Sequence, residues 1–71
     1  MNRLVAMVDG QEVACCWIHT GSKYWCARRV PRLFAQRALT QGWSLMVETA
    51  RGPKARRIIE RSGHYYTREV A

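Results

Sequence analysis

Three short turn signals punctuate this chain, and each borders residues that favour extended backbone. Asp9-Gly10 separates residues 4–8 from 12–18, Arg51-Gly52-Pro53 closes 43–49, and Ser62-Gly63 precedes 64–70. Glycine reaches backbone angles that strain other residues, and proline cannot donate to a β-ladder, so at each signal a strand must stop or reverse. Within 43–49, Trp43, Leu45, Val47 and Thr49 alternate with Ser44, Met46 and Glu48. That is the period-two pattern of a strand buried mainly on one side. Residues 64–70, rich in β formers, read as another strand.

The first pair of runs reads as a hairpin around Asp9-Gly10-Gln11. Its second strand, 12–18, is apolar at nearly every position and reads as central, covered on both faces. Trp17 and Trp43 are therefore expected in the core. After a turn at His19-Thr20-Gly21-Ser22, residues 23–28 read as a short strand or an irregular connection, with Trp25 partly exposed.

Residues 30–41 form the clearest helix. Pro31 suits a first turn, where its missing N–H is harmless, and Gly42 stands where a helix ends. At about 100° per residue, Val30, Phe34, Ala35, Ala38 and Leu39 share one half of the wheel. Arg29, Arg32, Gln36, Arg37 and Thr40 fall on the other, with Leu33 as an exposed leucine among them. Residues 54–61 are open to two readings. As a helix they would start at Gly52 and Pro53 and end at Gly63, with Ala55, Ile58 and Ile59 on one face. As a strand they complete a three-stranded meander, and the short glycine turns on both sides favour that reading. The fold class is therefore α+β. It is a small antiparallel sheet of five strands, six if 23–28 pairs, with one helix packed on a face, in the order ββ(β)αβββ.

A chain of 71 residues is a single domain, 1–71, that buries about 60% of its unfolded surface. No apolar run approaches the ~18 residues of a membrane span, and the start lacks the pattern of a signal peptide, so a cytoplasmic protein is expected. Three cysteines without a spaced framework fit a reducing compartment. Charge is more informative. Residues 28–71 hold ten of the twelve cations against three of the five acids, which puts the whole +7 there. Ten of the twelve cations are arginine, whose planar fork suits phosphate.

Catalytic and metal signatures are missing. Cys15 and Cys16 are adjacent and point to opposite faces of a strand, so only one could join His19 and Cys26, and no second ligand pair exists. The cysteines read as small apolar core residues. His64 with a cysteine would need an orienting third group that the sequence does not supply. The glycines sit at turns or at the helix end, and there is no phosphate loop. The reading is a non-enzyme without metal or cofactor. Above this background stands arginine interleaved with aromatic residues: Arg29, Arg32, Arg56, Arg57, Arg61, Tyr65 and Arg68 are the candidate contacts to a partner or to nucleic acid.

A strand hairpin, one helix ending at Gly42, Val47-Glu48-Thr49 before Gly52, and Glu60-Arg61-Ser62-Gly63 before Tyr65-Tyr66 together resemble the small phage anti-CRISPR proteins. The likeness is to those type I inhibitors that consist of a five-stranded antiparallel sheet and a single helix. It covers residues 30–70. The chain departs from the pattern in a longer segment between Gly52 and Gly63 and in its surplus of arginine. The resemblance implies a non-enzymatic inhibitor from a phage or mobile element, which binds a CRISPR-Cas surveillance complex of the host and interferes with its engagement of DNA. No residue role carries over with it. The alternative, from the residues alone, is a small basic regulatory protein that binds DNA or RNA through its arginine-rich surface, with no membrane partner.

Overall fold

The computed structural model describes residues 1–19 and 29–70. Strands β1 (Asn2–Val8) and β2 (Gln11–Ile18) are followed by β3 (Arg29–Val30), helix α1 (Arg32–Gln41), β4 (Ser44–Thr49), β5 (Gly52–Arg61) and β6 (His64–Glu69). All pairings are antiparallel, in one six-stranded sheet of order β2-β1-β4-β5-β6-β3. The sheet curls around one helix, the expected α+β arrangement. The third strand is Arg29–Val30; the expectation for 23–28, with Trp25 and Cys26, lies outside the described residues.

Two turns carry the architecture. Asp9 and Gly10 have φ of 50° and 78°, and Ser62 and Gly63 have 52° and 79°. Two central residues with positive φ make the turn whose twist matches that of paired strands, which is why an Asp-Gly or Ser-Gly dipeptide gives a two-residue hairpin. The turn before β5 is closed differently. Thr49 Oγ1 accepts a hydrogen bond from the Arg51 N–H at 3.2 Å and donates to the Gly52 carbonyl at 2.7 Å.

Residues 54–61 are strand, resolving the two readings. β4 pairs with the first half of β5, and β6 with the second half from Arg56 onward. Pro53 is tolerated because β6 does not reach it, so its missing N–H breaks no ladder.

The helix begins two residues later than the sequence pattern indicated. Val30 lies in β3 opposite Tyr65, and Pro31 takes the N-cap position with ψ of 133°. A residue before proline is pushed towards extended backbone, and Val is itself a β former. Gly42 ends the helix in the left-handed conformation, its N–H bonded to the Ala38 carbonyl. Against the sheet the helix presents Ala35 and Ala38, both buried, whose small side chains allow close approach. Phe34 and Leu39 flank that stripe. Phe34 meets Trp43 edge-to-face at 5.6 Å, whereas Leu39 is 58% exposed, contrary to its expected place in the core.

The core lies between helix and sheet and contains Leu4, Ala6, Ile18, Val30, Leu45, Val47 and Tyr65. Register explains the membership: Leu4 stands between Cys16 and Val47, and Ala6 between Ala14 and Leu45. Strand β1, not β2, is the inner member of the first hairpin, with Leu4, Val5 and Ala6 all buried. The expectation that β2 is central and covered on both faces is therefore corrected. β2 is an edge strand, and Trp17, expected in the core, is 59% exposed. Trp43 is half-buried. Within the described residues no helix is long and apolar enough to cross a membrane.

Candidate nucleic-acid interface

Antiparallel partners stand side by side on the same face of a sheet, and successive residues alternate between faces. Applied to β5 and β6, this divides the arginines. Arg57 is opposite Arg68, Ile59 opposite Tyr66, and Arg61 opposite His64. Tyr66 is in turn opposite Arg29 on β3. Four arginines, Arg29, Arg57, Arg61 and Arg68, therefore share the face turned away from the helix, and all four are exposed. Along β5, Arg57 and Arg61 are four residues apart, about 13 Å at the rise of an extended strand.

The other three candidates stand on the other face of the sheet or on the helix, although Arg56 also reaches the cleft it shares with Arg61 and Arg68. Arg56 lies one residue out of phase, on the face that carries Leu45, where its Nε and Nη2 donate to Thr67 Oγ1 at 3.4 and 3.2 Å. Arg32 opens the helix. Its guanidinium donates to the Gly63 carbonyl at 2.7 Å and sits 5.8 Å from the centre of the Tyr65 ring. That contact ties the helix start to the β5–β6 turn. Tyr65 itself is a core residue, 9% exposed, and Tyr66 is only 6% exposed. Both rings are largely covered, and Ile59 and His64 share the outer face with the arginines.

A cleft of about 470 Å³ along β5 and β6 takes Lys54, Arg56, Arg61 and Arg68 as its cations, with Glu69, Thr49 and Thr67 beside them. Lys54, Thr49 and Thr67 were not among the sequence candidates. Lys54 is recoverable from register, since it pairs with Val47 two residues before Arg56. The threonines carry no sequence signal of this kind.

On β1, β2 and β4 the charges cancel. Arg3 on β1 is bridged to Glu12 on β2 and Glu48 on β4, and the hydrogen bond it donates to Glu12, chiefly, holds the Arg3 guanidinium more firmly protonated than usual. Two acids are thus committed to Arg3 rather than to the arginines of β5 and β6. Arg57 directly opposite Arg68 is a like-charge pair of the kind that destabilises a sheet unless an anion lies between.

Cys15 and Cys16 are free thiols. Burial, with Cys15 second, pushes the Cys16 thiol up to about 11, which makes it a poor nucleophile at neutral pH. Both lie on β2, at the far end of the sheet order from His64 on β6. No group of three or more His, Cys, Asp or Glu side chains converges among the described residues. Comparison with protein families, characterised proteins and solved structures finds no match.

Proposed function

We propose that this protein is a non-enzymatic binder of nucleic acid. On this reading it works in the cytoplasm and contacts phosphates through the outer face of β5, β6 and β3. The observation that carries the reading is the convergence of Arg29, Arg57, Arg61 and Arg68, all exposed, on one face. Guanidinium forks match phosphate oxygens in pairs, and counterions released from the nucleic acid drive association without reference to sequence. The buried tyrosines support the same conclusion, because base readout needs donors, acceptors or rings at the surface. Fluorescence anisotropy with a labelled duplex at low salt tests it. The wild type should bind, and the triple variant Arg57→Ala, Arg61→Ala, Arg68→Ala should lose most of the affinity while keeping its circular dichroism. Equal binding by both proteins would remove the reading.

The inhibitor function implied by the resemblance is the second reading. Leu33 and Leu39, 60% and 58% exposed on the helix, supply apolar anchors for a protein subunit, with the arginine face beside the nucleic acid that a surveillance complex holds. A DNA mimic is a poor description of such a protein, since five acids, two of them bound to Arg3, cannot build a carboxylate surface. Phage plaquing on hosts with active type I immunity distinguishes this reading: expression of the protein should restore plaques. Unchanged immunity despite soluble expression would eliminate it and leave direct nucleic-acid binding standing.

A further inference from the structure

The cleft along β5 and β6 holds a buried hydroxyl with an unusual role. Glu69 stands directly opposite Arg56 across the ladder, yet the half-buried Arg56 turns its guanidinium to Thr67 instead. Thr67 Oγ1 accepts from both Nε and Nη2, and the residue is only 3% exposed. Its own hydroxyl proton has no acceptor among the described residues. A buried donor in that position is costly until an acceptor arrives. Lys54, Arg61 and Arg68 bring three more cations to the cleft, and Glu69 is the one acid among its described lining residues. The volume, about 470 Å³, suits a small ligand of one nucleotide's size rather than a duplex.

We propose that this cleft seats the terminal phosphate of a nucleic-acid strand. The Thr67 hydroxyl donates to a phosphate oxygen, Arg56, held in place by the same hydroxyl, adds its charge, and Lys54 and Arg68 flank the group. The proposal deepens the phosphate-binding reading of the arginine face and rests on it, since Arg61 and Arg68 belong to both. Charge selects a strand end over an internal phosphate. A phosphomonoester carries about −1.5 to −2 at neutral pH and offers three acceptor oxygens, whereas a diester carries a single charge and two free oxygens. Several cations on one concave site therefore favour the monoester. Shape agrees, because a chain end need only enter a cleft, while the middle of a strand must also leave it. Arg68 lies directly opposite Arg57, so a strand that passes Arg68 on its way out meets the outer face, where the following phosphates find their partners.

Fluorescence anisotropy tests the proposal with one labelled single strand, prepared with a phosphate or a hydroxyl at its 5′ end and, separately, at its 3′ end. At one of the two ends the phosphate should tighten binding about tenfold. Lys54→Gln and Thr67→Val, which keep most of the side-chain volume, should each remove most of that preference without altering the circular dichroism. Arg57→Ala, outside the cleft, should weaken the phosphate and hydroxyl forms alike. Equal binding of the two forms at both ends would overturn the proposal and leave the arginine face standing, and so would a preference that Lys54→Gln and Thr67→Val leave intact. Failure of every strand to bind would remove both. A nucleoside monophosphate that displaces the phosphorylated strand at equal concentration would assign the cleft to a free nucleotide and overturn the assignment to a strand end.

Discussion

The like-charge pair on β5 and β6 gives a test in which stability and binding move in opposite directions. Arg57 and Arg68 are directly opposite, so their Cα atoms stand about 4.5–5.5 Å apart and both side chains emerge on one face. Cross-strand pairs contribute on the order of 0.2–1 kcal/mol, favourable for opposite charges and unfavourable for like ones. Replacing Arg68 with Gln removes the repulsion and keeps most of the stem. The free protein should gain about 0.5 kcal/mol, which for a domain of this size raises the melting temperature by roughly 2–4 °C. Salt screens the repulsion, with a Debye length of about 8 Å at physiological ionic strength against about 30 Å at 0.01 M. The gain should therefore be largest at low salt and shrink as salt is added. Over the same series the variant should bind nucleic acid more weakly, having lost one phosphate contact. Differential scanning fluorimetry at two salt concentrations, with anisotropy on the same samples, reads both effects. A melting temperature that falls at low salt would mean that Arg68 holds the sheet together, and the case for a functional arginine pair would fail.

Gly63 has φ of 79° with nothing within 4 Å of an added Cβ, so Gly63→Ala should cost about 1–2 kcal/mol through backbone strain alone, and Gly63→Asn much less; chemical denaturation of the two variants checks the order. Cys16, with its thiol raised to about 11 by burial, should resist iodoacetamide at pH 8 and react at pH 10.5, as peptide mapping by mass spectrometry would show. The sign for stability follows: the folded chain holds that proton more tightly than the unfolded one, so stability should decline as pH rises from the ordinary thiol range through about 11. Flat stability across that window would contradict the burial of Cys16.

Local chemistry made much of this fold readable. Asp9-Gly10 and Ser62-Gly63 specify two-residue hairpins through their positive φ values, and Gly42 ends the helix for the same reason. The alternation in 43–49 correctly turned Leu45 and Val47 inward. What escaped the sequence was non-local. An apolar run does not reveal which strand of a hairpin lies inside, and only the pairing of β1 with β4 makes β1 the covered one. Trp17 is exposed for that reason, despite its indole. Leu39 was assigned to the core from the helical wheel, yet the contact stripe is only as wide as Ala35 and Ala38, and Trp43 shelters Phe34 on the other flank. The site divides in the same way. Once 54–61 is a strand, period two separates Arg56 from Arg57, and that much was legible. The arrival of Arg29 beside Tyr66 depends on β3 pairing with β6 across a long stretch of chain, and no local pattern encodes it.

The central claim is that four arginines on one face bind phosphates, and the salt dependence of affinity measures this most directly. Four contacts to duplex DNA predict that log affinity falls against log salt with a slope of about 3.6, or about 2.8 on a single strand. On the duplex that is a loss of roughly 150-fold between 50 and 200 mM salt. Each of Arg57→Ala, Arg61→Ala and Arg68→Ala should lower the slope by about 0.9, with no change in sequence preference. A slope below about 1, or one that these substitutions leave unchanged, would contradict the account.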